Sequence, residues 1–206
     1  MRKTTRNIFE DWQQSFIRDV DLAQILGRTD DARYAIVKRA LKSGSLVHLR
    51  KGLYLIASKV KQRLPDVFEL ALLIYSPSII SLESALAYHG WIPEAVYTTT
   101  CVTPKRAQEF KTPFGVFTYK RVPECGFYVG VTRVSRFLIA EPWKALADFM
   151  YTRHKSWNSL DELEADLRID RITMEQSDLE LLKELSEYYP SLRVRKGLKK
   201  ILGALL

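Results

Sequence analysis

Residues 29–57 read TDDARYAIVKRALKSGSLVHLRKGLYLIA, and the fold of the chain turns on them. Thr29 and Asp30 carry short oxygen-bearing side chains that can accept from the free N–H groups of a helix start. Ile36, Val37, Ala40 and Leu41 then recur at helical spacing and make one apolar stripe. Gly44 stands just past the last of them, where a left-handed stop belongs. Two short apolar runs follow, LVHLR and LYLIA, joined by Lys51 and Gly52. They predict a hairpin whose glycine takes a positive φ.

On the N-terminal side, residues 7–18 place Ile8, Phe9, Trp12 and Phe16 at the spacing of an amphipathic first helix. Asp19 or Asp21 can cap a short second helix, LAQIL, which Gly27 ends. A turn at 28–31 then leads into a third helix from about Asp31 to Ser43. A short helix, a longer helix and a basic-tipped hairpin, in that order, predict a winged helix-turn-helix over residues 1–60. In a helix-turn-helix the second helix of the pair enters the major groove of DNA, N-terminal residues first. The expected contacts are Thr29, Arg33, Tyr34, Lys38, Arg39 and Lys42 from that helix, with Arg50 and Lys51 from the wing.

Charge is consistent with this reading. Residues 1–60 hold twelve Lys and Arg against six Asp and Glu, and the acids crowd at helix starts, where the macrodipole favours them. The 206-residue chain has a net charge of +8 and a pI near 9.4, which favours an anionic partner. Its composition, 47% hydrophobic and 27% charged, is that of an ordinary folded protein. Cys101 and Cys125 form no CxxC, so neither a zinc ribbon nor a disulfide scaffold is expected. MRKTTRNIFEDWQQ has no apolar core like that of a signal peptide. The apolar stretch around residues 68–91 is broken by Glu69, Pro77 and Glu83, well short of the ~20 residues that span a bilayer. A soluble cytoplasmic protein without a membrane partner is the expectation.

Residues 61–206 predict a mixed α/β domain with a small central sheet and a helical C-terminal part, making the whole chain α+β. Pro65 suits the first position of a helix over VFELALLIY. SII reads as a strand, Ser81 as a cap, and Gly90 as the stop of the helix between them. AVYTTTCVT (95–103), GVFTYKRV (115–122) and FYVGVTRV (127–134) read as strands. Pro142 starts a helix with Trp143, Leu146, Ala147 and Met150 on one side. Ser159 with Glu162, and Thr173 with Gln176, fit the capping-box spacing.

Three segments in order, ALKSGSLVHLRKGLYLI, SIISLESALAYHGW and FLIAEPWKALADFMY, resemble the AbiEi family of antitoxins and transcriptional regulators from type IV toxin–antitoxin (abortive infection, phage defence) systems. The resemblance covers about residues 20–155. It implies an N-terminal winged helix that represses its own operon by binding inverted repeats in promoter DNA, with self-association there. It also implies a C-terminal domain that opposes a cognate nucleotidyltransferase toxin of the AbiEii kind, and no catalytic role.

Other features have competing readings. His89, one residue before Gly90, is expected to bond the last carbonyls of its helix. Ser81 and Ser84 read as a cap and a helix surface rather than nucleophiles. A second basic group, Lys105, Arg106, Lys111, Lys120, Arg121, Arg133 and Arg136, is either one patch for an anionic partner or a solvated sheet face. In the tail, Leu198, Ile201, Leu202 and Leu205 form a stripe that either packs on its own domain or docks elsewhere. Strands 95–103, 115–122 and 127–134 lack Asp and Glu, and no P-loop or HExxH occurs, so no metal, cofactor or enzymatic activity is expected. The alternatives kept are a regulator without antitoxin activity and a nucleic-acid-processing enzyme.

Overall fold

Strand β3 (Leu53–Ile56) is buried along its whole length and has a hydrogen-bonded neighbour on each side. In the computed structural model, which describes residues 9–27, 29–63, 65–157 and 159–206, it is the middle strand of a three-stranded sheet. β1 (Phe16–Arg18) and β2 (Leu46–Arg50) flank it, both antiparallel. Between β1 and β2 lie helices α1 (Asp19–Leu26) and α2 (Asp30–Lys42). α1 stops at Gly27 in the left-handed region, φ 53°, and Gly44 and Gly52 are left-handed as well. Ile36, Val37 and Ala40 are the buried face of α2. Val37 and Ala40 share a core with Phe9, Ile17, Leu22, Leu46 and Ile56.

The expected helix over residues 7–18 is not formed. Among the described residues only 9–11 are helical, and Ile8 lies outside them. Phe16 and Ile17 pair instead with Leu55 and Tyr54, which completes the backbone bonding of β3 and buries Ile17 fully. The helical spacing of Phe9, Trp12 and Phe16 reflects burial without a continuous helix. Trp12 uses its indole N–H to bond Phe16 O at 2.8 Å.

The chain divides into two compact units, Met1–Leu70 with Phe110–Gly115, and Ala71–Glu109 with Val116–Leu206. α3 (Ala57–Gln62) and α4 (Val67–Ile74) follow the small sheet. Pro65 is not the first residue of α4. Asp66 is its starting group, with Oδ1 accepting from Phe68 N at 2.7 Å.

Six further strands follow, β4 (Ile79–Ile80), β5 (Thr98–Thr103), β6 (Gln108–Thr112), β7 (Gly115–Arg121), β8 (Val131–Val134) and β9 (Phe137–Ala140); most of β6 groups with the first unit, and the second unit is built on the others in the order β7-β5-β4-β9-β8. The expected strand over 127–134 begins only at Val131, because 127–130 turn and Gly130 is left-handed. Cys101, Phe117 and Tyr119 point to one face and are fully buried, with Tyr119 donating to Ala71 O at 2.7 Å. The opposite face carries α5 (Leu82–Tyr88) and α6 (Pro142–Arg153), whose Trp143 ring meets Trp91 edge-on at 4.7 Å.

Four further helices complete this unit: α7 (Leu160–Leu167), α8 (Arg171–Glu175), α9 (Leu179–Tyr188) and α10 (Leu192–Leu205). Ser159 caps α7 as its spacing with Glu162 implied, accepting from Glu162 N at 3.2 Å. The Thr173–Gln176 box is not formed, because Asp170 and Asp178 cap α8 and α9. The tail packs on its own unit through Val194, Gly197, Leu198 and Ile201, while Leu202 and Leu205 are only half-buried. Arg193 fastens α10 to the end of α6 by donating to Met150 O at 2.8 Å and Lys155 O at 2.7 Å. Among the described residues no helix is long and apolar enough to cross a membrane.

Candidate nucleic-acid interface

The outer face of α2 follows from its buried one. With Ile36, Val37 and Ala40 turned inward, Asp31, Tyr34, Ala35, Lys38 and Lys42 come out on the opposite side, and all five are exposed. Tyr34 is 69% exposed. Among the described residues neither Lys38 nor Lys42 has an acidic partner. Arg39 is exposed beside them and donates from Nε to Ala35 O at 3.2 Å.

Arg33 differs from the expectation. Its place on the helix is the flank next to Val37, and its side chain is only 24% exposed. It pairs with Asp30 and lines a concavity of about 310 Å³ with Asp19, Tyr34 and Tyr54. Thr29 is exposed at the start of α2, and its hydroxyl makes no capping bond. Asp31 and Ala35 are the outer-face residues that a search for bases alone overlooks; helical spacing from Lys38 identifies both.

The hairpin turn is held by α1. Gly52 has φ 75°, and a Cβ there would lie 2.9 Å from Asp19 Oδ2, so the close approach and the backbone both require glycine. Asp19 N donates to Gly52 O at 3.1 Å. Burial raises the Tyr54 hydroxyl above its usual value, and the neighbouring Asp19 carboxylate raises it further. Lys51 is exposed at the tip, while half-buried Arg50 bonds back to Lys51 O at 3.1 Å.

Neither Asp19 nor the Arg18 side chain caps α1. Asp21 Oδ2 accepts from Arg18 N at 2.9 Å, and both carboxylate oxygens take the Arg18 guanidinium. Those bonds hold the Asp21 carboxyl below its usual range despite burial. Arg2, Lys3, Arg6 and Arg28, counted in the basic N-terminal charge, lie outside the described residues.

The second basic group is not one patch. Lys120 and Arg121 lie on β7, Arg133 on β8 and Arg136 in the turn to β9, with three strands between β7 and β8. At the usual strand spacing that is roughly 19 Å. Lys105 and Arg106 follow β5, and Lys105 Nζ is tied to Ser76 O at 2.7 Å. Lys111 belongs to the segment grouped with the first unit.

The two segments SIISLESALAYHGW and FLIAEPWKALADFMY meet inside the second unit. Ser81 Oγ, expected as a cap, instead donates to Asp148 Oδ2 at 2.8 Å. Asp148 Oδ1 accepts from Lys144 Nζ at 2.5 Å and Tyr189 Oη at 3.0 Å, and all four residues are buried. Ser84 is no surface residue: it is 4% exposed and bonds the Thr98 carbonyl and the Thr100 N–H. His89 bonds Ala140 O at 3.0 Å through Nε2, rather than the last carbonyls of its own helix. These bonds are joints between α5, β5, β9 and α6, buried at Ser81, Ser84, Lys144 and Asp148 and part-buried at His89.

Among the described residues no three His, Cys, Asp or Glu side chains are grouped so as to hold a metal ion. Cys101 is buried and Cys125 exposed, both as free thiols. Compared with known proteins, the chain matches no protein-family model and no curated sequence.

Proposed function

We propose that the first unit is a winged helix-turn-helix which binds promoter DNA and represses the protein's own operon, and that the second unit is an antitoxin against a nucleotidyltransferase toxin. The DNA reading rests on one observation above the rest: α2 turns Tyr34, Lys38 and Lys42 outward, with no acidic partner for either lysine among the described residues, and leads into a hairpin tipped by Lys51. The sheet order, with the strand before α1 beside the second hairpin strand, supports the winged-helix reading.

In the docked arrangement α2 lies in the major groove. Asp31 and Ala35 come nearest the base edges, since the N-terminal part of such a helix enters first. A carboxylate there accepts from cytosine N4, and an alanine methyl packs on a thymine methyl. Lys38, Arg39 and Lys42 meet phosphates farther along, and Lys51 meets the neighbouring backbone, positioning the helix without reading sequence. Inverted repeats would seat two copies.

The antitoxin reading rests on the resemblance to the AbiEi family. Ser81, Lys144 and Asp148, which lie in its motifs, build the interior of the second unit, so contact with a toxin falls to other, exposed residues. The two activities are tested together by co-expressing the protein with the product of the adjacent gene, which this reading expects to be a nucleotidyltransferase. Full-length protein restores growth and silences a reporter driven by its own promoter. The variant Lys38→Ala/Lys42→Ala restores growth without silencing. Failure of the full-length protein to restore growth contradicts the antitoxin half and leaves a plain regulator.

A further inference from the structure

The second unit contains a cleft of about 540 Å³ on the sheet face of β5 and β7, beside α6. That volume is within the range of small-molecule sites. Its floor follows from strand register. Thr100 pairs with Thr118 and Val102 with Lys120 in the parallel β5–β7 ladder, so Thr98, Thr118 and Lys120 share one face. Phe117 and Tyr119 turn to the other.

The charges around this cleft do not balance in the ordinary way. Each of its carboxylates has its own cation: Glu83 holds Arg153 at 2.6 Å, Asp166 holds Lys155 at 2.7 Å, and Glu94 holds Arg168. Lys120 has no acidic partner among the described residues, and the hydroxyls of Thr98 and Thr118 have no hydrogen-bond partner there. The neighbouring Thr100 hydroxyl, by contrast, is committed to Ser81 O at 2.8 Å. One cation and two open hydroxyls on a concave floor suit an anionic group.

The walls call for more than an anion. Ile92, Val96, Leu167 and the Phe149 ring line the cleft, and Tyr97 stands at its rim with 93% of its surface exposed. Glu83 Oε2 is buried without a hydrogen-bond partner, an acceptor open to a donor group. We propose that this cleft is a binding site for a nucleoside phosphate, with phosphate on Lys120, Thr98 and Thr118 and the base against Tyr97 and the apolar wall. This site is separate from the α2 surface and does not depend on the DNA reading.

The test is calorimetric titration of the full chain with AMP, ATP, adenosine and inorganic phosphate. AMP or ATP binds, and Lys120→Gln weakens that binding by about tenfold or more, the equivalent of one charge-assisted hydrogen bond. Tyr97→Ala weakens AMP but leaves any phosphate binding unchanged. Both side chains are solvent-accessible, and each variant is first shown to melt like the parent protein. Absence of nucleotide binding, AMP binding unaffected by Lys120→Gln, or inorganic phosphate binding as tightly as AMP each overturns the proposal.

Discussion

The Ser81 hydroxyl donates to Asp148 Oδ2 at 2.8 Å across 67 positions of sequence, and this bond joins the start of α5 to the middle of α6. Asp148 is 0% exposed and Lys144 2%. Replacing Asp148 alone strands a buried ammonium, so Asp148→Ala should cost about 3–5 kcal/mol of unfolding free energy. Lys144→Met/Asp148→Leu removes both charges and should recover much of that loss. Urea unfolding decides the matter. A single variant as stable as the parent would mean that Lys144 finds water or another partner.

Two glycines in α10 should respond oppositely to alanine. Nothing lies within 4 Å of a Cβ at Gly203, so Gly203→Ala should gain about 0.5–1 kcal/mol from helix propensity. A Cβ at Gly197 would sit 2.3 Å from Met150 Cε, whose side chain is fully buried. Gly197→Ala should therefore lose about 1–3 kcal/mol to overpacking. Melting temperatures that rise for both variants would show that Met150 moves aside freely.

Stability should fall on both sides of neutrality. The Tyr189 hydroxyl is raised by burial first and by the Asp148 charge second, and the Cys101 thiol is raised by burial. A raised folded value means that the stabilisation is complete below the unfolded value and is lost as pH rises beyond it. The loss should begin at about pH 8.5–10, at up to about 1.4 kcal/mol per pH unit for each group. Asp166, lowered chiefly by its bond from Lys155, behaves the other way, as does Asp21. Their contributions are present above about pH 3.9 and lost as pH falls through their lowered values. Unfolding curves collected from pH 3 to 11 should trace this dome; an alkaline limb that stays flat contradicts the burial of Tyr189 and Cys101.

Much of this was legible in the sequence where one residue type has one physical use. Gly27, Gly44 and Gly52 all take the left-handed backbone that turns require, and Pro142 starts α6. What escaped was decided by partners distant in sequence. β1 looked helical because burial of Phe9, Trp12 and Phe16 mimics a helical period, and only the open edge of β3 reveals it as a strand. Ser81 looked like a cap, and its true partner lies on α6. Arg33 looked like a groove contact because a base on a helix counts toward charge whichever way it faces, and it lies on the Val37 flank with Asp30.

Among the surface variants, Arg33→Ala should disturb DNA binding less than Lys38→Ala, since its guanidinium is held by Asp30 in the concavity beside α1. Lys51→Ala should weaken specific and nonspecific DNA alike, the behaviour of a phosphate contact. Competition binding with operator and scrambled duplexes separates these outcomes. A larger loss from Arg33→Ala would return that residue to the groove.

The most direct measurement is fluorescence anisotropy of the pure protein on a duplex carrying its own promoter, repeated over a range of salt concentrations. Specific binding should appear, with a log–log salt slope of about −0.9 for each phosphate neutralised. Lys38→Ala/Lys42→Ala should flatten that slope by up to about two such contacts and lower the affinity. Binding to the promoter with unchanged affinity and slope in this variant, or no preference for promoter over scrambled DNA in the parent protein, would contradict the assignment of α2 as the helix that reads the groove.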